Sequence, residues 1–488
     1  MTNRTRQDTA ELLDALAAMG SHGQAEGESS DHLPKTWMPI REHLRAFDPD
    51  VVIVVGPRGA GKTEMFKAVF EHHLLDAAAS RWRDLRLPPS GAEKTTWLPA
   101  YPVRSEFPDD TVLARFFKDK KPNDEALVGL WNTFLLRRLV MAGILAPSED
   151  LRPVIEPPSS DIGAVLDSFE RATAGALGAL DRLDEELLRQ DRGLFVAYDE
   201  LETIGGADSL IVQRCVQGLV GFWARRSRRW RRIRAKIFLR TDLYERAGTL
   251  GGADFAKLAA NRVELTWSDR NLYAMLVKRI ANTNDRLLEY CKTPVRFETQ
   301  ADPDLGWFPA TLASGEAEAL IERMVGEYMG KTARKGFSHR WILNHVRDGR
   351  GHALPRPLVR LIEKSASLQR ESNDFPRWPR LLEPMYLRRA INTASDEHVV
   401  QSKNEWPWLE RLKKILETEP EVPWDRRQIE RILRTMSDAP TPAYTPREWV
   451  EYLVEVGIFR RRQEDRIDTP DLYLHGLGLR RRGGVTLG

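Results

Sequence analysis

Residues Val51 to Thr63 read VVIVVGPRGAGKT, a run of five β-branched residues leading straight into Gly56-Pro57-Arg58-Gly59-Ala60-Gly61-Lys62-Thr63. The octet has the form G-x-x-x-x-G-K-[ST], set between a buried-type strand and a helical pattern from about Glu64 to His73. In that setting the glycines let backbone N–H groups converge on one point, and the helix turns the positive end of its dipole to the same point. The arrangement implies a phosphate ligand, and with Lys62 and Thr63 it implies a nucleoside triphosphate cradled by Gly56 to Glu64. Lys62 then holds the β- and γ-phosphates and Thr63 ligates Mg²⁺. A plain glycine turn between strand and helix would account for neither side chain. The fold that can carry this element is an α/β P-loop core built on a parallel sheet.

A chain of 488 residues is too long for one small core, and domains of ordinary size predict two to four. The 74 Lys+Arg against 71 Asp+Glu leave a net charge of only +3, so any nucleic-acid contact must come from a local patch. Cys215 and Cys291 are the only cysteines, which excludes a disulfide framework and a C-x-x-C zinc site and fits a reducing cytoplasm. Near the N-terminus Asp8, Glu11 and Asp14 interrupt what a secretory segment would need as an apolar run. No stretch approaches 18 apolar residues, so a soluble, cytoplasmic protein with no membrane contact is expected.

Residues 1–35 end in a polar, small-residue stretch, SHGQAEGESSDH, and read as a flexible leader with one short helix around Ala10 to Met19. Trp37, Ile40 and Leu44 at helical spacing introduce the ATPase-type core, 36–270. Between Lys62 and the next strong strand lies a Pro-punctuated stretch with helical segments near 124–143 and 162–189, which reads as an insertion over about 78–190. That next strand is Gly193 to Glu202, GLFVAYDELE, expected beside the phosphate-loop strand. Asp199 at its end anchors the Mg²⁺ shell. Glu200, on the other face of the pleat, polarises the water that attacks the γ-phosphate, whereas Glu202 reads as a solvated loop carboxylate. A helix over Ser209 to Trp230 precedes a third strand, Ala235 to Leu239, whose tip is Arg240-Thr241-Asp242. The crossover rule puts this strand next to the Asp199 strand. A fourth strand, Arg262 to Trp267, leads to a helix over Arg270 to Ala281.

This order of elements resembles the AAA+/STAND branch of P-loop ATPases, most closely its bacterial initiator-like and defence-associated members. The resemblance implies ATP and Mg²⁺ as ligands, a helical lid over 271–370 and a winged-helix-like domain over 371–488. In the lid, Gly349-Arg350-Gly351-His352-Ala353-Leu354-Pro355-Arg356-Pro357-Leu358 is similar to the family's G-x-P-R-x-L-type sequence, which makes Arg356 the sensor-2 arginine. Thr241, with Arg240 beside it, takes the sensor-1 role. The biological setting implied is bacterial antiphage defence or a DNA-linked complex, with a homo-oligomer or an effector protein as partner. The long insertion departs from the family pattern, and no arginine finger can be assigned. The absence of an N-K-x-D motif favours ATP over GTP, and the absence of an L-S-G-G-Q-type signature argues against an ABC ATPase.

Nine basic residues crowd Arg225 to Arg240 (Arg225, Arg226, Arg228, Arg229, Arg231, Arg232, Arg234, Lys236, Arg240) with no acidic residue among them. They fit a solvated helix end, an arginine finger in trans or a DNA or RNA contact. Trp230 within the run reads as core. From about residue 375 the chain turns Pro- and Trp-rich. Thr445-Pro446-Arg447-Glu448 carries the marks of a helix start. A β-hairpin follows from Ile458, with a return strand over Arg466 to Leu474. Residues 371–488 hold 20 basic and 20 acidic side chains, so this domain suits protein contact or autoinhibition as well as DNA. The readings that follow are an ATP-hydrolysing switch, a nucleic-acid-dependent ATPase or loader, and a phosphotransferase.

Overall fold

The computed structural model describes residues 3–19, 33–102, 107–158, 160–204, 209–250, 256, 258, 260–310, 315–403, 406–438 and 444–482. The chain forms two compact units, Pro39–Thr266 and a second made of Met1–Met38 with Trp267–Gly488.

The first unit is built on a five-stranded parallel sheet. Its strands are β1 (Ile53–Gly56), β2 (Thr95–Tyr101), β3 (Gly193–Tyr198), β4 (Ile233–Arg240) and β5 (Val263–Glu264), in the order β2-β3-β4-β1-β5. β1, β3 and nearly all of β4 are buried, as expected of strands covered by helices on both faces. Helices Asp124–Met141, Ile162–Arg189 and Ser209–Arg226 supply much of that cover; Trp131, Trp223 and Trp230 lie almost wholly inside.

Three expectations are corrected here. The Asp199 strand does not lie beside the phosphate-loop strand, because β4 separates them; β4 does lie next to β3. The stretch 78–190 is not wholly an insertion, since β2 is the edge strand of the sheet. Pro99 within β2 masks its strand character in sequence, yet a proline is tolerated at an edge. The fourth strand is also shorter than its apolar run suggests, spanning Val263–Glu264 only.

In the second unit the short helix expected around Ala10 to Met19 is present as the longer Asn3–Ala18, and this part of 1–35 is packed rather than a flexible leader. Leu12, Leu13, Leu16 and Met19 form one stripe and are buried in a core with Leu358, Leu361 and Ile362 of helix Pro355–Ser372. Asp14 pairs with Arg370 at 2.9 Å, and Glu11 pairs with Arg286. The average polarity of the segment hides that stripe. The SHGQAEGESSDH stretch lies outside the described residues. The same core continues through Leu381, Leu382, Leu387 and Ile391, so the composition change near 375 does not end it. A separate core begins at Val399.

That last core is organised as helix Leu409–Leu416, β6 (Glu421–Val422), helix Arg426–Ile432, helix Pro446–Glu455, then β7 (Arg460–Arg461) paired antiparallel with β8 (Ile467–Asp468). Trp424 bridges to Ile467, and β9 (Arg480–Arg481) returns to β6. This is a winged-helix order, with Trp424, Trp449, Phe459 and Ile467 fully buried at its centre. The capping box at Thr445 and Glu448 is present. The expected return strand to Leu474 stops at Asp468, because Pro470 opens a short helix, Asp471–Leu474.

Candidate nucleotide site

In a parallel sheet the loops at the carboxyl ends of the strands share one edge, and ligands collect there. β1 ends at Gly56, which is in register with Arg240 at the end of β4, so Thr241 follows directly beside the phosphate loop. Gly59 and Gly61 take left-handed φ values of 84° and 101°, which a side chain would resist. A Cβ on Gly56 would stand 3.2 Å from both Ala60 and Leu265. Pro57, Arg58 and Ala60 complete the turn, and helix Lys62–Ala68 begins immediately with Thr63 and Glu64 in its first turn. Lys62 is buried and folds over the loop, donating to the carbonyls of Gly56 (2.8 Å) and Pro57 (3.0 Å).

Asp199 lies just past β3, its backbone N–H donating to the Tyr101 carbonyl at 3.0 Å. The side chain is 3 % exposed, accepts from Thr63 and faces the charge of Lys62. Burial pushes its pKa up to about 6; Lys62 pulls it down and Glu202 adds to the rise. Its Oδ2 is buried with no hydrogen-bond partner among the described residues. A carboxylate with an open lone pair, bonded to the phosphate-loop threonine, has the donor chemistry of a Mg²⁺ shell. The residues present therefore fit the Mg²⁺-nucleotide that the sequence implies.

Glu200 does not continue the strand, which ends at Tyr198, so the alternation that set it on the opposite pleat does not apply. It sits at φ 52°, ψ 30°, a left-handed conformation that costs a non-glycine residue roughly 1–3 kcal/mol. Its carbonyl is held by the Thr203 backbone N–H (3.0 Å) and the Thr203 hydroxyl (2.8 Å). That hydroxyl also meets the Tyr101 phenol at 2.6 Å. A carbonyl can only accept, so the Thr203 proton goes to Glu200 and Tyr101 must be the donor to Thr203. Tyr101 and Thr203 were missed in sequence; the TTWLPAY run containing Tyr101 is the one signal that could have pointed to the edge strand.

Arg240 is buried at the β4 tip in a bidentate pair with Asp242 (3.0 and 2.8 Å) and lies 3.9 Å from Glu202, which is thus not simply a solvated carboxylate. The hydroxyl of Thr241 is buried without a hydrogen-bond partner among the described residues. Arg356 belongs to the second unit, in the first turn of helix Pro355–Ser372, with its Nη1 3.5 Å from the Gln401 amide oxygen.

Much of the Arg225 to Arg240 run serves the fold. Asp181 takes Arg229 (2.7 Å) and the Trp230 indole (3.0 Å), and Asp191 takes Arg232 (2.8 Å). The buried Asp184 accepts the backbone N–H groups of Arg231, Arg232 and Ile233 at 2.9, 2.7 and 2.8 Å. Lys236, fully buried, donates to the carbonyls of Asp48 and Val51, and burial lowers its pKa to about 7. Arg225, Arg228 and Arg231 remain exposed, at the amino end of β4 and so at the edge of the sheet opposite the phosphate loop. Trp230 is core, as its sequence context suggests.

No family model matches the chain, and no curated protein matches it. Among solved structures, it is similar to Cdc6p from Pyrobaculum aerophilum (10 % identity, 92 % of this chain and 97 % of that one, TM-score 0.33). It is also similar to the ORC2 protein of Aeropyrum pernix in ADPNP–ADP complexes (12 % identity, 92 % and 91 % covered, TM-score 0.35). A third is the Walker-type ATPase Paby2304 of Pyrococcus abyssi (11 % identity, 93 % and 97 % covered, TM-score 0.37). At TM-scores this low the likeness decides nothing about the ligands of this chain. Among the described residues no helix is long and apolar enough to cross a membrane, and no group of His, Cys, Asp and Glu has the makings of a metal site by itself.

Proposed function

We propose that the chain is an ATP-binding and ATP-hydrolysing molecular switch of the AAA+/STAND kind. One observation carries the reading: Asp199, buried beside Lys62 and bonded to Thr63, has a carboxylate oxygen with nothing to accept from at the carboxyl edge of the sheet. Burying such a group without a partner is costly, and a Mg²⁺-nucleotide relieves that cost. Bound Mg²⁺ supplies charge neutralisation of the β- and γ-phosphates. On this reading the Lys62 ammonium passes from the loop carbonyls to the phosphates, Thr63 and Asp199 hold the ion, and the backbone of Gly56 to Glu64 cradles the phosphate oxygens. Glu200 takes the proton of the attacking water. Thr241 senses the γ-phosphate from the tip of β4, and Arg356 carries the sensor-2 role in the lid.

The setting we propose is a bacterial antiphage-defence or DNA-linked complex, in which a homo-oligomer or an effector protein receives the switch. ATP labelled on the γ-phosphate tests the reaction class. Label released as inorganic phosphate supports the switch; label transferred to another acceptor would replace it with a kinase. Nucleic-acid-dependent turnover is a second reading. The winged-helix domain gives it little support: on helix Pro446–Glu455 the exposed Glu448 and Glu455 accompany a single exposed Arg447, and Glu451 is already paired with Arg426 and Arg461. A different surface favours it.

A further inference from the structure

From Tyr328 to Arg347 the chain contains no acidic residue. Within this stretch a tight hairpin, closed by a Tyr328–Phe337 bridge and by Met329 N–H donating to the Gly336 carbonyl at 2.9 Å, exposes Lys331, Arg334 and Lys335. Arg340 follows on the next helix and lies over the Phe337 ring, 5.2 Å from its centroid. A second segment brings more charge to the same place. Arg388 donates to the Met329 carbonyl, and the Arg380 guanidinium covers Gly326, where an added Cβ would stand 3.0 Å from its Cζ. Among the described residues none of these six cations has a carboxylate at ion-pair distance. The acids nearby are Glu322, which faces His339 at 3.6 Å, Glu327, which hydrogen-bonds Tyr328, and Glu383, whose carboxyl feels Arg380. On the same second segment the Trp378 indole is 43 % exposed, between Arg377 and Arg380 in sequence.

Six cations without an ion-pair partner on two converging segments repel one another, and Trp378, with Arg323 over its ring at 5.8 Å and Tyr290 packed edge-on, still leaves much of its indole exposed. We propose that this surface binds single-stranded nucleic acid, with phosphates on Lys331, Arg334, Lys335, Arg340, Arg380 and Arg388 and a base stacked on Trp378. The cations match a backbone that carries one charge per nucleotide, and ring stacking is the sequence-tolerant contact such strands use. The Arg225 to Arg240 run is a poorer candidate because most of its charge is already engaged within the first unit.

Binding of a fluorescently labelled 30-nucleotide DNA strand of mixed sequence, followed by anisotropy without nucleotide triphosphate at 50–200 mM salt, tests this. If six phosphates are neutralised, log K falls against log salt with a slope of about −4. Lys331→Gln/Arg334→Gln/Lys335→Gln together make that slope shallower by about 2 and weaken binding at least tenfold at ~100 mM salt. Trp378→Ala weakens binding roughly 5- to 150-fold with the slope unchanged. Arg225→Gln/Arg228→Gln/Arg231→Gln, and Lys62→Ala, bind as the parent protein does; the last separates this surface from the ATPase reading. The proposal is overturned by no binding at 50 mM salt, by a hairpin variant that binds like the parent, by equal loss in the Arg225 set, or by capture of anionic vesicles in place of the oligonucleotide.

Discussion

Replacing Asp199 with asparagine should make the nucleotide-free protein more stable while removing its Mg²⁺-dependent nucleotide binding. The carboxyl is 3 % exposed and its pKa is pushed up to about 6, chiefly by burial. The folded protein therefore holds the proton more tightly than the unfolded chain does. The stability this group contributes is intact at low pH, declines as pH rises through the window from the ordinary carboxylate value to about 6, and stays low above it. A difference of about two pKa units corresponds to about 3 kcal/mol. Asparagine keeps an acceptor for Thr63 but carries no charge, so Asp199→Asn should gain about 3 kcal/mol at pH 7.5 and about half that at pH 5. In a unit the size of Pro39–Thr266 this raises Tm by roughly 6–12 °C at the higher pH. Thermal unfolding of parent and variant across pH 4.5–8, without nucleotide, is the assay. A variant less stable than the parent at pH 7.5, or one whose gain does not shrink on acidification, would mean that the buried Asp199 charge does not destabilise the nucleotide-free protein.

Three further outcomes follow from the geometry. Thr203→Val removes the hydroxyl that pins the Glu200 carbonyl and receives the Tyr101 phenol; turnover should fall about tenfold with ATP affinity unchanged, and Thr203→Ser should restore it. Leu13→Ala, in the fully buried stripe of the N-terminal helix, should cost about 2–5 kcal/mol in chemical unfolding, where a free leader would show no change. Gly349 donates its N–H to the Gly457 carbonyl at 2.6 Å, and a Cβ there would fall 1.9 Å from the Phe459 carbonyl oxygen. Gly349→Ala should therefore destabilise the second unit by roughly 2–3 kcal/mol, read as a lowered Tm.

The phosphate loop was legible because its chemistry is local: strand, glycines, lysine and helix are contiguous, and so are the Asp199-Glu200 pair and the capping box at Thr445. What sequence could not show depends on partners far along the chain. The separation of β1 from β3 is decided by which strands pair, and a β-branched run carries no record of its neighbour. The N-terminal helix reads in sequence as a short piece of a mobile leader, because averaged polarity outweighs four apolar residues whose partners, Leu358 to Ile362, lie far along the chain. The Arg225 to Arg240 run looked like free charge because Asp181, Asp184 and Asp191 lie some forty residues earlier. Tyr101 meets Thr203 across 102 residues and through it the Glu200 carbonyl, a connection no spacing rule anticipates.

Glu200 is the residue on which hydrolysis of the bound nucleotide is proposed to depend. The direct test compares ATP binding and phosphate release in the parent protein and in Glu200→Gln, with Mg²⁺ present. The variant should bind ATP within about threefold of the parent and turn it over at least ~100-fold more slowly. Turnover retained in Glu200→Gln, or a parent protein that binds ATP and never hydrolyses it, would contradict that proposal.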